Sequence, residues 1–151
     1  SWGVLRSHCC DVWRQTCRGG LDWPGVISAP GRVHTIFAKS GTDVLSATDG
    51  VVLYSGKIKY GGEVVLVLGP KWRVHYYAHL RDRKASFLDW MNSGEKLGSV
   101  GDSGNAKGKQ PHLHYSITSC LPYFWRADNS PQGWKKIFYL NPIKYIEDAN
   151  Q

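Results

Sequence analysis

Pro111-His112-Leu113-His114-Tyr115-Ser116-Ile117-Thr118 is the stretch from which the fold is read. In an extended strand successive side chains point to opposite faces, so His112 and His114 leave it on the same side. There one can bind a metal while the other acts beside it. A helix would not achieve this, since residues two apart on a helix do not face each other. An isolated His-x-His is ordinarily a pair of surface histidines. Here a glycine-rich turn, Gly101-Asp102-Ser103-Gly104-Asn105-Ala106, feeds the strand, and β-branched Ile117 and Thr118 follow the pair. A further histidine stands upstream in Tyr77-Ala78-His79-Leu80.

Outward from this stretch, short apolar runs rich in valine, isoleucine and tyrosine recur at residues 43–47, 50–55, 63–68, 73–77 and 96–100, as well as 112–118. Gly56, Gly61-Gly62, Gly69-Pro70 and the glycines between 101 and 104 punctuate them. Runs of this length bounded by turn residues predict an all-β chain. Two segments are longer than such a pattern needs. Residues 7–30 hold Cys9, Cys10, Cys17, Trp13 and Trp23, and residues 121–140 are rich in aromatics, with Tyr123, Phe124, Trp125, Trp134, Phe138 and Tyr139. Aromatic loops of this kind wall a groove or fold back over a sheet, and packing is the commoner use of any single one.

The chain has 151 residues, enough for one domain with a real core. Its formal net charge of +7 implies an anionic partner or matrix. The lysines and arginines are scattered through turns such as Arg81-Asp82-Arg83-Lys84 and Lys107-Gly108-Lys109 instead of forming a basic run, which argues against nucleic acid. A basic nucleic-acid-binding β domain is the weakest of three functional readings, supported by charge alone. No apolar stretch approaches the roughly 18 residues of a membrane span, and no signal-peptide pattern is visible. The four cysteines, Cys9, Cys10, Cys17 and Cys120, allow three full pairings. A vicinal Cys9–Cys10 bridge is strained, and in an oxidising compartment the expected arrangement ties the amino-terminal insertion to itself and to Cys120. A second zinc site from His8 and the three amino-terminal cysteines lacks the usual Cys-x-x-Cys spacing.

Five stretches in order resemble the lysostaphin/LytM-type zinc metallopeptidase family: Ser1-Trp2-Gly3 with Arg6; Gly31-Arg32-Val33-His34; Ile36-Phe37-Ala38-Lys39-Ser40-Gly41-Thr42 running into Ala47-Thr48-Asp49-Gly50-Val51-Val52; Tyr60-Gly61-Gly62 with Tyr77-Ala78-His79-Leu80; and Gly94-Glu95-Lys96-Leu97-Gly98 leading to the His-Leu-His-Tyr strand. Asn141-Pro142-Ile143 resembles the family's closing strand. The resemblance covers most of the chain. It implies a single domain over residues 1–151, a two-sheet β structure with an open groove (the duplicated hybrid motif), and zinc on the groove floor. It further implies hydrolysis of peptide cross-links in bacterial peptidoglycan, in the cell envelope, periplasmic or secreted. Carried over by position, His34 and His114 are the expected metal ligands, and His79 and His112 the expected acid/base and transition-state-stabilising pair.

The family's aspartate ligand has no counterpart. Where the family reads His-x-Gly-x-Asp before Ile-Phe-Ala, this chain reads His34-Thr35-Ile36-Phe37-Ala38, as though three residues were removed. Asp43 reads as a strand-end carboxylate. His75 is a conceivable substitute, though packing within an aromatic strand is the simpler use. The gap raises a rival to the peptidase reading: a binding or regulatory module that keeps the groove and acts by activating other cell-wall hydrolases.

Overall fold

The structure, a computed structural model, describes residues 33–130, 136–140 and 142, together with the backbone of Ile27–Ser28. Cys9, Cys10, Cys17, Trp13, Trp23 and Trp134, and with them the expected pairing of Cys120 to the amino-terminal insertion, lie outside the described residues.

Among the described residues there are ten strands: β1 (Ile27–Ser28), β2 (His34–Phe37), β3 (Asp43–Leu45), β4 (Gly50–Ile58), β5 (Gly62–Gly69), β6 (Arg73–Arg83), β7 (Trp90–Met91), β8 (Lys96–Val100), β9 (His112–Ser119) and β10 (Tyr139–Leu140). Short 3-10 turns at Pro70–Trp72, Gly104–Ala106 and Phe124–Arg126 connect them. All six runs read from the sequence are strands, and β6 continues past Tyr77 to Arg83. The architecture is all-β and open, as expected. Its halves are hydrogen-bonded into one connected sheet, with the main path β1-β2-β9-β6-β5-β4-β7 and with β8 and β3 branching from β6. The connection exists because β6 is long. Its first part lies between β5 and β9, and after a register shift its last part pairs with β8.

One face of this sheet carries the core. Leu113, Tyr115 and Ile117 of β9 point to it, with Tyr77 of β6, Val65 and Val67 of β5 and Val52 of β4, all buried. Period-2 alternation does the sorting, since directly paired residues of antiparallel strands share a face. Tyr77 pairs with Tyr115 and Val65, and Ala78 pairs with His114. His112, His114 and Ser116 therefore lie on the face away from this core. Within the core, Tyr77 accepts the Ala47 amide on its hydroxyl at 2.9 Å, and the rings of Tyr77 and Tyr115 sit 5.1 Å apart.

His75 belongs to the core face. It is fully buried, and its Nδ1 is 2.8 Å from the Tyr115 hydroxyl. The packing use expected of it is the one found, with Tyr115 as its partner, and the sheet separates it from His114. Burial, reinforced by the Arg73 guanidinium, pushes the His75 imidazole down to about 4. The folded protein thus keeps His75 neutral at pH values where an unfolded chain would protonate it. Above the ordinary histidine value of 6.5 both states are neutral and no stability is lost; as pH falls from there towards 4, the unfolded state gains the proton first and stability drops. The linkage is on the order of 2 kcal/mol by pH 4.5. Urea midpoints measured from pH 7.5 to 4.5 should fall accordingly, and His75→Gln should flatten the curve; an equally steep curve in the variant would show that other groups carry the acid sensitivity.

Candidate metal centre

Three imidazoles meet on the face away from the core. His79, His112 and His114 each offer a nitrogen, and these atoms lie within 4.8 Å of one another. The ring centroids of His79 and His114 are 4.4 Å apart, those of His112 and His114 4.9 Å, and those of His79 and His112 5.0 Å. His112 and His114 arrive there by strand alternation. His79 does not. Tyr77 faces the core and Ala78 the site, so regular β geometry would send the next side chain back to the core.

His79 instead has φ 62°, in the left-handed region, which turns its side chain to the site. A non-glycine residue there is uncommon and costs about 1–3 kcal/mol, met by the surrounding structure. Its amide donates to the Gly61 carbonyl at 2.8 Å, and its carbonyl accepts the Gly101 amide at 3.0 Å. These two turns pack backbone on backbone. Gly62 has φ 67°, and a Cβ there would lie 2.2 Å from Ser103 Oγ; Gly104 has φ 71°, and a Cβ there would lie 2.4 Å from the Gly62 nitrogen. Only glycine satisfies both positions.

Two backbone carbonyls fix the ring states. His79 Nδ1 donates to the Ser103 carbonyl at 2.8 Å and His112 Nδ1 to the Gln110 carbonyl at 2.7 Å, because a carbonyl can only accept. Each ring then presents an Nε2 lone pair. His79 Nε2 lies 3.1 Å from His114 Nδ1. Burial, followed by the charges of His79, His112 and Lys109, holds His114 down to about 4. Burial also lowers His79, more than its bond to Ser103 raises it, with His112 and Lys109 adding to the fall. A histidine that binds metal is commonly anchored through its second nitrogen, as His79 and His112 are here. The donor set fits a borderline divalent ion such as zinc.

The register of β2 bears on the expectation that His34 joins His114 on the metal. His34 pairs with Tyr115, whereas Thr35 pairs with His114 and Phe37 with His112. His34 is therefore buried on the core face, and Thr35 and Phe37 line the site, with the Phe37 ring 5.6 Å from His112. The reason is arithmetic on a strand. Relative to His-x-Gly-x-Asp the chain is three residues shorter before Ile36-Phe37-Ala38, and an odd offset flips every preceding side chain to the other face. The position of the lost aspartate, just before Ile36, is held by Thr35. Asp43 is a strand-end carboxylate as expected, paired with Lys96 at 2.7 Å. Sequence reading missed Thr35 as a neighbour of His114; cross-strand register supplies it, and no single-strand motif does.

The geometry brings three histidines that could hold a metal ion together on an open β-sheet. The sequence profile of Peptidase family M23 matches residues 32–124, and the chain belongs to that family. It is 36% identical over 112 residues to the cell division protein DipM of Caulobacter vibrioides, covering 66% of this chain and 18% of DipM. Over 80 residues it is 32% identical to the peptidoglycan DD-endopeptidase ShyC of Vibrio cholerae, 53% of this chain and 18% of ShyC. The chain thus spans about a fifth of the length of the curated relatives it matches. Among solved structures it is similar to the antimicrobial peptidase lysostaphin from Staphylococcus simulans, with TM-score 0.65 and 21% identity over 91% of this chain and 52% of that one. It is also similar to a zinc-containing peptidase from Vibrio cholerae, with TM-score 0.52 and 25% identity over 56% of this chain and 25% of that one. These likenesses give the nucleic-acid reading no support.

Because Thr35 faces His114 across the strand pair, Thr35→Asp should add a carboxylate to the site and tighten zinc binding on the order of tenfold in competition with a chromophoric chelator. Unchanged affinity would mean that β2 does not border the metal.

Proposed function

We propose that this domain is a zinc-dependent hydrolase acting on the peptides of bacterial peptidoglycan, in the cell envelope. The convergence of His79, His112 and His114 on the face away from the core carries this reading, together with membership of the M23 family. Zinc at three protein ligands with an open position polarises a scissile carbonyl and acidifies bound water.

His114 is the constant ligand. His79 and His112, with their Nδ1 protons committed to backbone carbonyls, present Nε2 to the same place. In this chain β2 supplies no histidine or carboxylate to the group, so both imidazoles would be drawn into holding the ion. They are also the imidazoles of the group placed to take a proton from the attacking water. One lone pair cannot do both at once, so turnover is expected to be slow compared with a site whose β2 supplies ligands. The same observation favours a second reading, a non-hydrolytic module that binds wall peptide and acts through other cell-wall hydrolases. No helix of the described residues is long and apolar enough to cross a membrane.

His79→Ala separates the roles. Expected is a loss of zinc affinity together with any cleavage of purified wall fragments, because His79 serves as a ligand. If zinc binding holds while cleavage falls about 10²–10⁴-fold, His79 is a proton-transfer residue alone. Zinc-loaded domain that leaves wall peptides intact decides for the binding module.

A further inference from the structure

Two abutting loops frame the histidines, and both are basic. The loop after β8 carries Lys107 and Lys109, and the turn between β4 and β5 carries Lys59 beside Tyr60, with Lys59 Nζ 5.4 Å from the ring. The Asn105 amide joins the loops by donating to the Tyr60 carbonyl at 3.0 Å. Lys109 immediately precedes Gln110, whose carbonyl orients His112, and its own amide is fixed on the Ala106 carbonyl at 2.9 Å. All three lysines are exposed, and so is the Tyr60 ring, at 67%. Asp102 is the one acid in residues 59–62 and 101–111, and its carboxylate accepts the Gly108 amide at 3.2 Å. None of the ion pairs among the described residues, Arg83–Glu63, Lys96–Asp43 and Lys136–Asp128, involves these lysines.

A net positive rim beside the histidines complements negative charge on a ligand. If the ligand is a peptide, that charge is a carboxylate. We infer that Lys109, flanked by Lys107 and Lys59, forms a subsite for the free C-terminal carboxylate of the peptide held at the histidines, and so selects peptides that end close to the bond presented there. The identity of the ligand rests on the wall-peptide reading above; the subsite itself does not require hydrolysis. Lysine suits the task as a mobile point charge on an exposed loop, and its attraction is screened by salt.

Isothermal titration of the zinc-loaded domain tests this with two probes: a peptidoglycan disaccharide-tetrapeptide with its free C-terminal carboxylate, and the same molecule amidated there. Amidation should weaken binding roughly two- to fivefold, the range of an exposed ion pair, and the difference should shrink in high salt. Lys109→Gln should bind both probes alike, at the level of the amide. Lys71→Gln, in the turn before β6 and away from His79, should keep the discrimination. Equal affinity of the unmodified domain for the two probes, absence of binding to either, or discrimination that survives Lys109→Gln would overturn the inference. Cleavage assays on the same samples keep the readings apart: discrimination without cleavage retains the subsite and rejects the hydrolase, and cleavage without discrimination does the reverse.

Discussion

The left-handed backbone of His79, clamped between Gly61 and Gly101, is the constraint on which the site depends. It lets a strand deliver core side chains up to Tyr77 and then present a histidine to the opposite face. The clamp in turn needs the Gly62 and Gly104 turns to touch through their backbones, which no side chain at either position would permit. Those turns also supply the Ser103 carbonyl that holds the His79 ring. Fold and site are therefore coupled through backbone groups, and the loops that orient the histidines are the ones that carry the lysine rim.

The sheet's two faces divide the labour. Tyr115, Tyr77, Ile117 and Val67 bury the apolar surface and shelter His75, while the reverse face holds the histidine group. This division makes β2 sensitive to single-residue offsets. His34 sits in the core because it is an odd number of residues out of step with the family pattern, and the histidine group gains no donor from β2 while sheet pairing is undisturbed. The family's β-sheet is retained while the strand beside the histidine group is altered.

Much of this was legible in the sequence. The strands are marked by β-branched and aromatic runs between glycines, and the His-x-His spacing places two histidines on one face wherever it forms a strand. His79 could be named but not aimed: period-2 reasoning sends it to the core, and only its positive φ, invisible in residue identities, brings it round. The ring-orienting groups are main-chain carbonyls of Ser103 and Gln110, which no side-chain motif encodes. His34 was misplaced for a related reason. A motif match treats a histidine as present or absent, whereas a strand also asks which face it is on, and that depends on register with β9.

The central claim is that the metal sits on His79, His112 and His114, with His34 excluded by the sheet. Anomalous diffraction at the zinc edge, from crystals of the domain grown with zinc, tests it directly. The account predicts one strong peak on the face away from the core, bounded by His79 Nε2, His112 Nε2 and His114 Nδ1. A peak coordinated by His34, or no peak at this group in zinc-saturated crystals, would contradict it.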